Sequence, residues 1–274
     1  MLTCPVCHAP LMREDRAFRG AEGHSFDVAR EGYVNLLAGR AAPPEAGDSR
    51  AMLRARQRFI AGGHYAPLVA TLCGLAAEAA GERATLLDAG CGEGTYTAAV
   101  ADVLAGHAEF GAAVGIDIAK DAARIAAKQY AGVQFAVADV WARLPIADAS
   151  VGVLLNVFAP RNPAEFARVV APGGRLLVAL PAPGHLAALR DTLDLIGIEE
   201  DKVEKVQAAF AEGFRLAAEE RVTVPLALEA AALRDLVGMM PGSRHLTAEA
   251  ETALAALPGW AGEARFVVLA LDRV

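Results

Sequence analysis

No apolar run in the chain approaches the roughly 18 to 20 residues that a membrane span requires, and the N-terminus lacks the basic, apolar and small-residue order of a secretory signal. A cytoplasmic location is the expectation. Cysteine is scarce, with four among 274 residues: Cys4 and Cys7 stand at C-x-x-C spacing, Cys73 lies in an apolar helical segment and Cys91 sits in a glycine turn. That pattern is no disulfide framework. Positive charge is also short, since the formal net charge is −7 and the pI is near 5.4, which argues against a surface coated for nucleic acid. The shortage is uneven. Residues 1 to 60 hold nine Arg against seven Asp or Glu, whereas the remainder holds 17 basic and 26 acidic residues, so phosphate contacts are expected near the N-terminus. With 54% hydrophobic and 22% charged residues the chain reads as globular. Its length suits one large domain or one with a small appendage.

The most informative stretch is Leu86 to Tyr96, LLDAGCGEGTY, in which an apolar run stops at an acid and breaks into Gly90, Gly92 and Gly94. This predicts a buried strand, a tight turn and a helix. Glycine suits such a turn because a missing Cβ permits φ > 0 and lets a ligand press against the backbone. The spacing G-x-G-x-G differs from the G-x-G-x-x-G of dinucleotide binders, and Asp88 comes just before the first glycine. The arrangement is similar to motif I of Rossmann-type methyltransferases that use S-adenosylmethionine. There the strand-end acid faces the amino group of the ligand. The bland alternative is an ordinary Gly-rich turn in an α/β core.

Downstream the pattern alternates strand and helix, as a parallel sheet requires. Strands are predicted at residues 86–88, 112–118, 133–139, 151–158 and 175–181, the last after the turn Pro172-Gly173-Gly174. Helices are predicted at 96–104, 121–130 and 163–170. The strand ends carry Asp88, Asp117, Asp139 and Asn156, at the edge where ligands gather in an open α/β sheet. Asp117, about 23 residues past the last glycine, is near the offset at which an acid accepts ribose hydroxyls. Asp139 suits an adenine amino group. Each acid alone could equally be a helix N-cap, but as an ordered set with the glycine turn they point to an adenosine ligand. A helix beginning at residues 182–193 would carry His185 in its first turn, and two late β segments, 222–228 and 264–272, are available for a closing hairpin.

Before the glycine turn lie three smaller pieces. Cys4 and Cys7 suggest half of a zinc ribbon, and His24 falls where a later ligand could sit. Four residues before His24, however, stands Gly20, so the four-ligand set is incomplete; His8 could substitute, though its adjacency to Cys7 is awkward. The competing reading is a fold held by Phe18, Phe26 and Tyr33. Residues 38–50 are small, Pro-rich and polar, which marks a linker. Asp48 or Ser49 then suits the N-cap of a helix in which Arg50, Arg54 and Arg58 share one face. An ordinary solvated face explains that spacing. The turn with His64 and Tyr65 leads to an Ala-rich helix at 67–80.

The stretches CPVCHAPL, HSFDVAREGYVNLL, GDSRAMLRAR, AGGHYAPL, LDAGCGEGTYT, NVFAP, VVAPGG and PGHLAAL together span most of the chain. On them the sequence resembles the RlmA family of 23S rRNA (guanine-N1)-methyltransferases, and VADVWARLP with NVFAPRNPAE is most similar to the tylosin-resistance branch. The resemblance implies an α/β Rossmann-type class I S-adenosylmethionine-dependent methyltransferase with a small N-terminal zinc-ribbon-like module. The implied organisation is an RNA-recognition module at 1–37, a linker and connecting helix at 38–66 and the methyltransferase domain at 67–274. It implies that Tyr65 and His185 help hold the donor, and that zinc is held by Cys4, Cys7 and His24 with a third cysteine at the position of Gly20. Arg244, in MMPGSRH, replaces a residue often aromatic in relatives, where it could offer phosphate or cation–π contact. The implied partners are a 23S rRNA hairpin at the macrolide site and a second copy of the chain.

The candidate donor site then comprises Asp88, Gly90, Cys91, Gly92, Glu93 and Gly94 of the turn, the strand ends Asp117, Ile118, Asp139 and Val140, and Asn156, with Tyr65 and His185 added by the resemblance. Asn156 is also the candidate catalytic residue, positioning guanine through its amide while a carboxylate or water takes the N1 proton; its alternative is a turn residue at the strand end. Two competing functions stay open: a small-molecule methyltransferase that kept the fold, and a protein that binds S-adenosylmethionine or RNA without turnover.

Overall fold

The structure is a computed structural model describing residues 1–39, 47–79, 84–106, 110–195 and 199–274; most of the predicted linker, residues 40–46, lies outside the described residues. The N-terminal segment forms a three-stranded antiparallel sheet from β1 (Leu11–Glu14), β2 (Ala17–Gly20) and β3 (Ser25–Asp27). It is sewn to the rest of the protein. The short β4 (Val34–Asn35) pairs in parallel with β7 (Gln134–Val137) at the edge of the main sheet, and Leu2 bridges to Ile146. Phe18 and Phe26 join the apolar cluster on one face of the main sheet, while Tyr33 packs into the cluster on the opposite face.

After the linker, α1 (Arg50–Ala61) is capped by Ser49, whose hydroxyl accepts from Met52 N at 3.3 Å. Arg50 and Arg58 bind α1 to its neighbours, pairing with Asp121 at 3.0 Å and Asp235 at 2.5 Å. Then α2 (Ala66–Ala79) leads into alternation: β5 (Thr85–Ala89), α3 (Thr95–Leu104), β6 (Ala112–Asp117), α4 (Lys120–Gln129), β7, β8 (Val151–Val157), α5 (Pro163–Val169) and β9 (Val170–Pro181). The main sheet has eight strands in the order β10-β11-β9-β8-β5-β6-β7-β4, with β10 (Phe214–Glu229) and β11 (Gly259–Arg273) antiparallel and the other six parallel. Chain order leaves β5 toward β6 and β7, then jumps to β8 on its other side. That reversal opens a crevice at the strand ends between β5 and β8.

Both faces of the parallel strands are covered, as their near-continuous apolar sequences require. Leu86, Val153, Leu155 and Leu177 pack on one side, and Leu87, Leu154, Leu176 and Val178 on the other. Several boundaries differ from the sequence reading. β7 stops at Val137, two residues short of Asp139, because the chain turns there into the cavity wall. His185 precedes α6 (Ala187–Thr192) rather than opening it, since Leu186 takes a left-handed conformation at the N-cap. The closing hairpin runs the full register from Phe214↔Arg273 to Glu229↔Gly259. Between its strands are inserted α8 (Ala230–Gly238), a 3₁₀ turn (Pro241–His245) and α9 (Ala248–Ala256). Helix α7 (Lys202–Phe210) precedes it. No single helix among the described residues is long and apolar enough to cross a membrane.

Candidate functional site

At the C-terminal edge of the parallel strands lies a cavity of about 890 Å³, within the range of small-ligand sites. Its floor is the turn between β5 and α3. Gly90 N and Cys91 N both donate to Ile116 O, at 2.9 and 3.0 Å, which pins the turn to the end of β6. Gly90, Gly92 and Gly94 have φ of 90°, 54° and 85°, the left-handed region that glycine tolerates. A Cβ at Gly90 would stand 2.3 Å from Ala159 Cβ, and one at Gly94 would stand 2.9 Å from Ala126 Cβ and Phe135 Cζ. Gly90 therefore keeps open the gap between the turn and the segment after β8, whereas Gly94 allows α3 to pack.

The floor is acidic. Asp88 is 1% exposed. Its Oδ2 accepts from Thr97 Oγ1 at 2.6 Å, and its Oδ1 is buried with no partner. Burial pushes the carboxyl up to about 7, against the lowering effect of the Thr97 bond and with the Asp117 and Glu93 charges adding to the rise. Glu93 is equally buried, and both its oxygens lack hydrogen bonds; burial raises its pKa while nearby Arg56, 3.7 Å away, lowers it. Asp117 accepts from Gly92 N at 2.9 Å and from Ala119 N at 2.8 Å, and Asp139 accepts from Trp141 N at 2.9 Å. Neither acid caps a helix: α4 has Ala119 at its N-cap with no side-chain bond, and no helix follows Asp139 directly. Both line the cavity, as do Cys91, Ile118 and Val140.

Tyr65 and His185 close another wall. Tyr65 meets Phe59 and Phe266 edge-on, with centroids 4.9 Å away in each case, and His185 lies 4.8 Å from Phe266. Burial lowers the His185 pKa to about 4, so the ring is neutral at pH 7. Its Nδ1 lies 2.8 Å from the Arg265 carbonyl, against 3.2 Å from Arg265 N–H. Either neutral tautomer thus finds a backbone partner at Nδ1, the carbonyl for Nδ1–H and the amide for an unprotonated Nδ1.

Of the two roles its sequence position left open, Asn156 fits the turn residue at the strand end. It is fully buried and does not line the cavity. Its amide nitrogen donates to Ala89 O at 3.0 Å and to Pro160 O at 2.8 Å, so both donors are committed to the backbone, while its Oδ1 is buried with no hydrogen-bond partner. What it fixes is the segment carrying Phe158, which has φ of 54°, lines the cavity and is 42% exposed. A bulky residue in that conformation is an outlier that marks functional segments. Gly94 also stays off the cavity surface.

Three features escaped the sequence reading. Arg56, not Arg50 or Arg54, points into the site: it pairs with Asp48 at 2.6 Å and hydrogen-bonds Met239 O at 3.4 Å. The signal was present, since Met52, Leu53, Phe59 and Ile60 form the buried stripe of α1 and Arg56 lies on that stripe. Aromatic Trp141 and Phe158 both line the cavity while exposed. Arg161, Arg190 and Lys202 line it as well. Arg244 turns back to the chain instead of outward, donating to Gly47 O at 2.6 Å and lying 3.3 Å from Met52 Sδ.

In the N-terminal module, Cys4, Cys7 and His24 bring one donor atom each to within 4.8 Å of one another. His24 Nδ1 is buried without a hydrogen-bond partner, as a metal ligand would be. His8 is exposed and outside this group. Gly20 faces His24 across the turn, its N–H donating to His24 O at 2.9 Å. The three donors suit zinc in kind and spacing, with the fourth tetrahedral position not supplied by Gly20.

Residues 2–40 match the family model described as the RlmA N-terminal region, and residues 86–174 match a methyltransferase domain model. The 23S rRNA (guanine(748)-N(1))-methyltransferase of Streptomyces fradiae is 42% identical over 263 residues, covering 94% of this chain and 91% of that protein. The chain belongs to the RlmA family of 23S rRNA (guanine-N1)-methyltransferases. A family member from Micromonospora griseorubida is likewise 42% identical over 264 residues, covering 89% of this chain and 87% of its own. A solved structure described as a methyltransferase from Bacillus halodurans C-125 shares the fold, with a TM-score of 0.53 at 18% identity over 74% of this chain and 97% of that one. The RlmA family assignment agrees with the Rossmann-type sheet and with the ribbon at the N-terminus.

Proposed function

We propose that the chain transfers a methyl group from S-adenosylmethionine to N1 of a guanine in 23S rRNA, in the hairpin of the macrolide site. It acts in the cytoplasm as a homodimer, and residues 1–37 recognise the RNA. The observation that carries the donor half of this reading is the unpartnered, buried Oδ1 of Asp88 in a cavity whose floor Gly90 leaves free of a side chain. The 42% identity to the Streptomyces fradiae enzyme supports the acceptor half.

Bound there, S-adenosylmethionine would supply a methyl group activated by its sulfonium. The residues of the chain do the rest. Asp88 offers a negative oxygen to an ammonium group, with Glu93 and Asp117 adding to the potential that draws a cation. Asp117 retains lone pairs for ribose hydroxyls, and Asp139 for an adenine amino group. Phe158 presents a ring on which a base can stack, and Asn156 holds its segment in place. Displacement needs mainly alignment and exclusion of water. Guanine N1 must lose a proton as the new bond forms, and Asn156 cannot take it, because an amide is not a base. A cavity carboxylate or water is the acceptor.

Incubating purified protein with unmethylated 23S rRNA and isotope-labelled S-adenosylmethionine tests the reading. N1-methylguanosine in the digested RNA is the expected product. Saturable donor binding with no label in RNA would leave the small-molecule alternative instead.

A further inference from the structure

The charge of the cavity is divided. Asp48, Asp88, Glu93, Asp117 and Asp139 line it beside the glycine turn and the strand ends, while Arg161, Arg190 and Lys202 line it from the segment after β8, from α6 and from the first residue of α7. In a chain with a net charge of −7, three half-buried cations converging from three separate elements are not the average of the surface. Arg161 Nε is buried and has no hydrogen-bond partner. The acid whose charge reaches Lys202 is Glu199, and its carboxylate pairs with Lys205 at 3.0 Å. Burial depresses the pKa of all three, and at Lys202 the charges of Arg161 and Arg190 add to the depression. Arg190 is already tied, its Nε donating to His185 O at 3.1 Å; Arg161 and Lys202 have lost part of their hydration beside it and are stabilised by an anion.

Two anions could reach it. A donor carboxylate carries one charge and lies with its own ammonium, which the acidic floor attracts. A nucleotide entering with its base in the cavity brings a phosphodiester that must follow it in, and guanidinium groups match phosphate oxygens in planar, paired hydrogen bonds. We propose that Arg161 and Lys202, with Arg190 adding its charge beside them, form a phosphate clamp for the backbone of the target nucleotide, an inference that rests on the RNA-methyltransferase reading. The clamp adds to the N-terminal basic region a second contact with RNA, placed inside the cavity, and it converts a general attraction into register: the base can enter only where its phosphate can be held.

The test uses the full chain and the variants Arg161→Gln, Lys202→Gln and the pair, with Arg161→Lys and Lys202→Arg as charge-conserving controls. RNA affinity is measured by filter retention of a 23S rRNA fragment across salt concentrations, methylation by steady-state kinetics, and donor affinity by calorimetry. Each Gln variant should raise the Kd and KM for RNA about tenfold and flatten the log–log salt dependence by about one unit, while donor Kd stays within about twofold. Intact donor binding also shows that each variant is folded. The charge-conserving controls should retain most of the RNA affinity. Weakened donor binding with unchanged RNA affinity would overturn the clamp and assign the cations to the donor carboxylate; unchanged values for both would overturn it outright. Cation-dependent RNA binding without methylation by the wild type would instead sink the functional reading and leave the clamp standing.

Discussion

Thr97 Oγ1 donates to Asp88 Oδ2 at 2.6 Å, and the other oxygen of that buried carboxylate has no partner. The arrangement stabilises a carboxyl poised near neutrality, because burial and the Asp117 and Glu93 charges raise it to about 7. A group raised in the folded state favours folding below its unfolded value near 3.8 and loses that contribution as pH rises through about 7. A cationic ligand reverses the penalty by pairing with the ionised form. Donor affinity is therefore expected to rise between pH 6 and 7.5, by up to about tenfold per unit below the pKa, with release of a proton on binding. Calorimetry in buffers of different ionisation enthalpy reads that proton. Asp88→Asn should bind donor more weakly and lose the pH dependence; a variant that kept both wild-type affinity and slope would remove Asp88 from the account.

Gly90 carries two constraints at once, φ of 90° and a Cβ position 2.3 Å from Ala159 Cβ. Gly90→Ala should cost about 1–3 kcal/mol of stability from strain alone, more if Ala159 cannot yield. It should also reduce donor affinity by at least about tenfold, because the segment after β8 has to shift. Thermal melts with and without donor measure both effects, and a wild-type Kd in a stably folded variant would contradict the cradle.

At the ribbon, a Cβ on Gly20 meets nothing closer than Leu11 Cδ2 at 3.6 Å, so Gly20→Cys fits the backbone without strain. With Cys4, Cys7 and His24 already gathered, the added thiolate is expected to tighten zinc by about tenfold or more and to raise the melting temperature in a chelator-sensitive way. Competition with a chromogenic chelator gives the affinity. Equal zinc affinity in the two proteins would show that another group completes the wild-type site.

Phe158 is exposed at the cavity wall in a left-handed conformation. Stacking of a base on an aromatic ring contributes about 1–3 kcal/mol, roughly a 5- to 150-fold effect. Phe158→Ala should raise KM for rRNA within that range and lower kcat, while Phe158→Tyr retains activity. A rise in donor Kd with unchanged RNA kinetics would place the ring on the donor instead.

Much of the donor half was legible because it is local. The order of strand, glycines and helix, and the polar residue at each strand end, follow from a few consecutive residues and survive folding nearly unchanged. What stayed hidden depends on contacts between distant segments. Arg56 reads as one arginine among four until α1 is laid against the glycine turn, where Asp48 and Glu93 meet it. Asn156 stands at a strand end, where the sequence left a guanine-positioning and a turn-residue role open, and only the fold shows Ala89 O and Pro160 O taking its amide N–H groups. Arg161, Arg190 and Lys202 come from three elements whose apposition only the fold supplies. Arg244 is bound back to Gly47 O for the same reason.

The central claim is that this cavity places a methyl group on guanine N1 of 23S rRNA. Mass spectrometry of nuclease fragments of 23S rRNA, from the source strain and from a deletion strain with and without the restored gene, tests it most directly. The account predicts that one N1-methylguanine in the macrolide-site hairpin disappears on deletion, returns with the wild-type gene and fails to return with the Asp88→Asn variant. Persistence of every N1-methylguanine in the deletion strain, in the absence of a second enzyme of this family, would contradict it.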